Sequence, residues 1–149
     1  MEEQLEIQKQ FRQQQEKFIY YIIALAVAAI GFSVVKTTGQ PLKLIQIPLG
    51  LAILFWGLSI YYGLNFLKLI TSTLYANNVY FDILQGLHPE VGKHPERIEA
   101  ASSGIKQAMT RNSDKASKYA SRQEKLFYFG IVLFITWHLF EMYYFTSPK

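Results

Sequence analysis

The sequence predicts an all-α integral membrane protein with three transmembrane helices and helical extensions outside the bilayer. Three observations carry that expectation. Half of the 149 residues are apolar, yet they fall in three blocks separated by segments rich in Gln, Lys, Glu and Ser. Each block approaches the roughly 20 residues that a helix needs to cross a hydrocarbon core about 30 Å thick. Tyr and Phe gather at the block ends, where aromatic rings suit the membrane–water interface.

The N-terminal segment, residues 1–17, holds Glu2, Glu3, Glu6 and Glu16 and contains neither Gly nor Pro. Its Gln, Glu and Lys residues are good helix formers, so the first transmembrane helix is expected to extend backwards through it. A cleaved secretory signal would begin with a short basic stretch and end in a small-residue cleavage site. Neither is present, and the first apolar block reads as a retained span over about residues 18–36, between Lys17 and Lys36.

Gly39 and Pro41 mark a tight turn and a short loop around Thr37–Lys43. The second span is expected over about residues 45–68. It carries Pro48 in its first turn, where a missing N–H costs little. Trp56, Tyr61 and Tyr62 are unusual in mid-span and are expected to face protein.

Beyond Lys68, residues 69–125 form the expected segment between spans two and three. Leu67, Ile70, Leu74, Phe81 and Leu84 follow helical spacing, which carries the second helix to about Gln85, with Gly86 as its stop. Asn77 and Asn78 are possible local breaks. The next helix is expected from Pro95 to about Arg111, with Ile98, Ala101, Ile105, Ala108 and Met109 along one face. Asn112 or Ser113 would cap a further helix that runs into the third span. The whole segment reads as a helical stub, too small and too rich in Ser and Lys to bury a core of its own.

The third span, about residues 126–145, is the weakest of the three. Its uncharged run ends at Glu141 and includes His138. The flank of Arg122 and Lys125, the apolar string after Leu126 and the Tyr143–Tyr144 pair support a full crossing. A re-entrant or interfacial helix is the rival reading.

Orientation follows from the basic residues near span ends. Lys9, Arg12, Lys17, Lys68 and the cations from Lys106 to Lys125 share one side, against Lys36, Lys43 and Lys149 on the other. The expected arrangement is an integral protein of the plasma or inner membrane, with the N-terminus and residues 69–125 in the cytoplasm and the C-terminus outside. The net charge of +4 fits this bias. It does not read as a nucleic-acid footprint, because no dense cluster of cations interleaved with exposed aromatics occurs.

Chemistry is sparse. Absence of cysteine removes disulfides and thiol catalysis. No GxSxG, HExxH or phosphate-cradling Gly loop is found, so no enzymatic activity and no cofactor are expected. His-Pro-Glu occurs twice, at His88–Glu90 and His94–Glu96. Metal binding is one reading; Pro-Glu as a helix start, with Pro at the first position and Glu at the positive dipole end, is the stronger one. His138 and Glu141, three apart, share a helix face, and with Asn65 they are the intramembrane polar candidates. An ionisable group in a span is costly and often functional, but Glu141 lies about one turn from the outer end, where an interfacial pair is the plainer account.

Small residues let helix backbones approach in lipid. The candidates are Ala24, Ala28 and Gly31, with Ala29 and Ser33 on a neighbouring side of the first span, and Gly50, Gly57, Ser59 and Gly63 on the second. They suggest packing within the chain and against partners. The expected function is a small oligomeric membrane protein, channel-forming or membrane-perturbing. The alternative is a non-conducting accessory or anchoring subunit that binds a partner through its cytoplasmic helices. In layout alone the chain resembles small membrane effectors and accessory subunits.

Overall fold

A computed structural model describes residues 2–41 and 43–146. Those residues are all-helical, in three long helices and one short turn. Helix α1 is Glu2–Thr37, a single turn of 3-10 helix covers Leu44–Gln46, α2 is Ile47–Leu84 and α3 is Pro95–Thr146. All three helices are long and apolar enough to cross a membrane. Each continues without interruption past the expected span: α1 takes in residues 2–17, and α2 runs on from residue 68 to Leu84.

Local chemistry accounts for the helix ends. Gly39, at φ +78, turns the chain after α1, and the N–H of Gln40 donates to Thr37 O at 3.1 Å. At the end of α2, the N–H of Leu87 donates to Asp82 O at 2.8 Å and that of Gly86 to Ile83 O at 3.0 Å. With Gly86 at φ +68, this is a Schellman cap, which needs a left-handed residue after the helix. Pro95 takes the first position of α3, and the N–H of Ile98 donates to His94 O at 3.0 Å. The second His-Pro-Glu is thus a helix start. The first is not: His88 opens a turn, with the N–H of Gly92 donating to His88 O at 3.0 Å.

Two expectations about breaks are corrected. Neither Asn77 nor Asn78 interrupts α2. No cap forms at Asn112 or Ser113, since α3 passes through both positions. An Asn or Ser inside a helix costs well under 1 kcal/mol relative to Ala, too little to end one that has packing on both sides of it in sequence.

The chain divides into two compact units, residues 1–63 with 120–149, and residues 64–119. The first is a bundle of α1, the first half of α2 and the second half of α3. Its buried positions are Ile19, Ile22, Ala26 and Ser33 on α1, Leu49, Ala52, Trp56 and Ser59 on α2, and Gln123, Phe127 and Trp137 on α3. The steps of three and four are those of a helix-bundle seam. Ile22, Ala26, Ala52, Trp56 and Phe127 form the centre, with Ile30, Ile60 and Phe134 packed around it. Phe134 joins the two tryptophans, with ring centroids 5.7 Å from Trp56 and 5.6 Å from Trp137.

The second unit joins the later half of α2 to the first half of α3. Its buried positions are Phe66, Thr73, Ile83 and Ala116. Ile98, Ala101, Ile105, Ala108 and Met109 are all half-buried, as one shared face requires. The stripe expected on α2 is different. Leu74, Phe81 and Leu84 are exposed, and Leu67 and Ile70 only half-buried. The buried face lies roughly a quarter-turn or more away, through Phe66, Thr73 and Ile83.

Candidate functional site

The bundle of the first unit contains one polar layer, and it is centred on Gln123. This residue is fully buried. Its Nε2 donates to Ile19 O on α1 at 3.3 Å. Its own backbone carbonyl accepts from Ser59 Oγ on α2 at 2.8 Å. Ser59 is likewise fully buried. One residue of α3 therefore ties both other helices at a single level.

Gly63 makes room for it. A Cβ at Gly63 would lie 2.8 Å from Gln123 Cδ and 2.9 Å from Ile23 Cδ1. Two turns along, the roles reverse: Gly130 of α3 receives the indole of Trp56 from α2. Partner numbers rise on α3 as they fall on α2, so these helices are antiparallel, each offering one glycine to the other's large side chain.

Two buried polar atoms in this interior have no hydrogen-bond partner, Gln123 Oε1 and Trp56 Nε1. The amide orientation is set by Ile19 O, which can only accept. Each orphan costs about 1–3 kcal/mol relative to a satisfied group. Ser33, also fully buried, donates to its own helix at Ala29 O, 2.8 Å away. No ionisable side chain is among the buried residues described.

The small residues singled out in the sequence separate into two groups. Ser59 and Gly63 lie inside the bundle. Ala24, Ala28 and Gly31 lie outside it, as do Gly50 and Gly57. At Gly31, Gly50 and Gly57 an added Cβ would meet nothing within 4 Å. On α1 it is the neighbouring face, through Ala26, Ala29 and Ser33, that packs inward. Trp56 is buried as expected, Tyr62 is half-buried, and Tyr61 is 60% exposed, so it does not face the bundle.

The polar candidates fall in both units, His138 and Glu141 three residues apart on α3 in the first and Asn65 on α2 in the second. His138 is exposed, its ring centroid 6.3 Å from that of Trp137. Glu141 is half-buried near the C-terminal end of α3. Asn65 is half-buried and belongs to the second unit. Among the described residues no group of three or more His, Cys, Asp or Glu gathers to hold a metal. His88 Nδ1 instead accepts from the Glu90 N–H at 3.4 Å.

Sequence reasoning missed Gln123 and Gly130. Gln123 stands in a polar string, Ser121-Arg122-Gln123-Glu124, where a Gln looks solvated. The signal that finds it is spacing: Gln123, Phe127, Gly130 and Trp137 fall on one seam at steps of four, three and seven. Comparison of the chain with protein-family models, with curated proteins and with solved structures returns no match.

Proposed function

We propose that this chain is an integral membrane protein that works as an oligomer and acts through the outside of its bundle. The observation that carries this reading is the filled interior. Trp56, Phe127, Ile22, Ala26 and Ala52 occupy the centre of the bundle, and the groups that cross it are an amide and hydroxyls held by backbone carbonyls. Among the described residues of the bundle the centre is filled by side chains and no ionisable group is buried. Any conducting path would run between copies. The partners in this reading are the bilayer and further copies of the chain.

The outward small residues Ala24, Ala28, Gly31, Gly50 and Gly57 support contact between copies, because lipid supplies no hydrophobic drive between helices and close approach must supply packing instead. In this arrangement the N-terminus and residues 69–125 lie on the cytoplasmic side, following the basic bias. The test is the mass of the particle extracted into lipid nanodiscs. Copies of the 17.2 kDa chain in a whole-number multiple support the reading, and a lone protomer contradicts it.

One observation favours the accessory-subunit reading as well. In the second unit, Leu74, Phe81 and Leu84 expose an apolar face on α2, at 49%, 51% and 47%. Outside a bilayer, such a face suits a protein partner. A particle whose excess mass is not a multiple of this chain, and which falls apart in L74Q/F81Q, would support it.

A further inference from the structure

The exposed surface of the bundle changes character at the level of its polar layer. That level is fixed by Gln123, whose amide reaches Ile19 O, and by Gly63, which lies against the same side chain. Within about one and a half helical turns of it, the exposed side chains include Tyr20 and Tyr21 on α1, Tyr61 on α2 and Tyr128 on α3. Exposed cations stand among them: Lys17 on α1, and Arg122 and Lys125 on α3. Tyrosines ringing a helical bundle beside Lys and Arg mark the membrane–water interface.

Arg122 and Lys125 are three apart and share a helix face. The guanidinium carbon of Arg122 lies 5.6 Å from the ring centroid of Tyr62, within cation–π range, which restrains the side chain at this level. Glu124 projects about 100° round the helix from Lys125, away from that face. The same face continues back along α3 through Lys118, Lys115 and Arg111, all exposed.

We propose that Arg122 and Lys125 bind the phosphate of an anionic lipid headgroup, an inference that rests on the membrane placement above. Cations beside a span favour anionic lipid by about fivefold each, an effect that decays within a Debye length of about 8–10 Å. Measured along α3 from Arg122, Lys118 stands about 6 Å away, within that reach, Lys115 about 10 Å, at its edge, and Arg111 about 16 Å, beyond it. A headgroup layer therefore draws most on the pair at its own level and progressively less on Lys118, Lys115 and Arg111, whereas an acidic protein lying along the helix would use all five cations alike. The tyrosine ring at the level of the pair favours the lipid.

The test is native mass spectrometry of the full chain extracted from liposomes of equal phosphatidylcholine and phosphatidylglycerol, reading the ratio of retained lipids. The wild type is expected to enrich phosphatidylglycerol. R122Q/K125Q should lose about fivefold for each charge removed, while R111Q/K115Q and the charge-keeping R122K/K125R should retain the enrichment. Added inorganic phosphate should leave the ratio unchanged. Circular dichroism of each variant confirms equal helicity, so loss of fold is read separately. No enrichment in the wild type, equal loss in R111Q/K115Q, or displacement by inorganic phosphate would overturn the proposal. The particle's mass does not enter the readout. Failure here therefore leaves the oligomer reading standing, while failure of the protein to enter liposomes counts against the membrane placement itself.

Discussion

The indole of Trp56 covers Gly130: a Cβ on that glycine would lie 2.6 Å from Trp56 Cδ1 and 2.9 Å from Cε2. The ring can give little, because it is 2% exposed and packs on Phe134. This contact closes the centre of the bundle, and it makes Gly130 a position where even a methyl group is too large.

G130A should therefore destabilise the bundle by about 1–3 kcal/mol, the usual cost of overpacking a filled core. G104A, on α3 in the second unit and with nothing within 4 Å of the new methyl, should stay within about 1 kcal/mol of wild type, the scale of the helix-propensity difference between Gly and Ala. Unfolding midpoints of the two variants in mixed micelles check the contrast.

Gln123 presents an opposite case. Its amide makes one long bond, 3.3 Å to Ile19 O, and leaves Oε1 buried without a partner. Replacing the amide by an apolar chain of similar volume removes the long bond and the orphan together, and Ile19 O, inside α1, keeps its helical N–H partner, so no new unsatisfied group is created. Q123M should thus unfold at the same denaturant level as wild type or a higher one. Q123A, which leaves a cavity, should cost about 2 kcal/mol or more. S59A loses only the 2.8 Å bond to a carbonyl and should cost about 0.6–1 kcal/mol.

In the second unit, Gly86 caps α2 at φ +68, and a Cβ there would lie 2.9 Å from Lys93 Cγ. G86A should cost about 1–2 kcal/mol through left-handed strain. Hydrogen exchange at Gln85, Gly86 and Leu87 should speed up while exchange in the first unit stays the same.

The membrane orientation has a direct reporter, since the chain has no cysteine of its own. An impermeant maleimide should label T38C in intact cells, and S117C only after permeabilisation. Both native positions are exposed, so a reversed pattern would mean a reversed topology.

Much of the helix layout was legible in the sequence because its signals are local. Gly39, Gly86 and Pro95 set backbone angles wherever they stand, and uncharged runs report directly on length. Packing faces were not legible in the same way. A helix that is apolar on every side has no polar face to mark the outside, so Ala24, Ala28 and Gly31 looked as suitable for the interior as Ala26, Ala29 and Ser33. On α2, the stripe through Leu74 and Phe81 was the more apolar of two, yet Phe66, Thr73 and Ile83 face inward. Gln123 was hidden for the converse reason: a polar residue in a polar string gives no hint that the facing helix leaves a glycine for it.

Single-cysteine cross-linking in native membranes tests the central claim most directly, that the bundle is closed and meets other copies through its outer face. G31C stands on that face and A26C inside the core. Under mild oxidation, G31C is predicted to form a disulfide-linked dimer while A26C stays monomeric. Cross-linking by A26C with G31C silent would contradict the account.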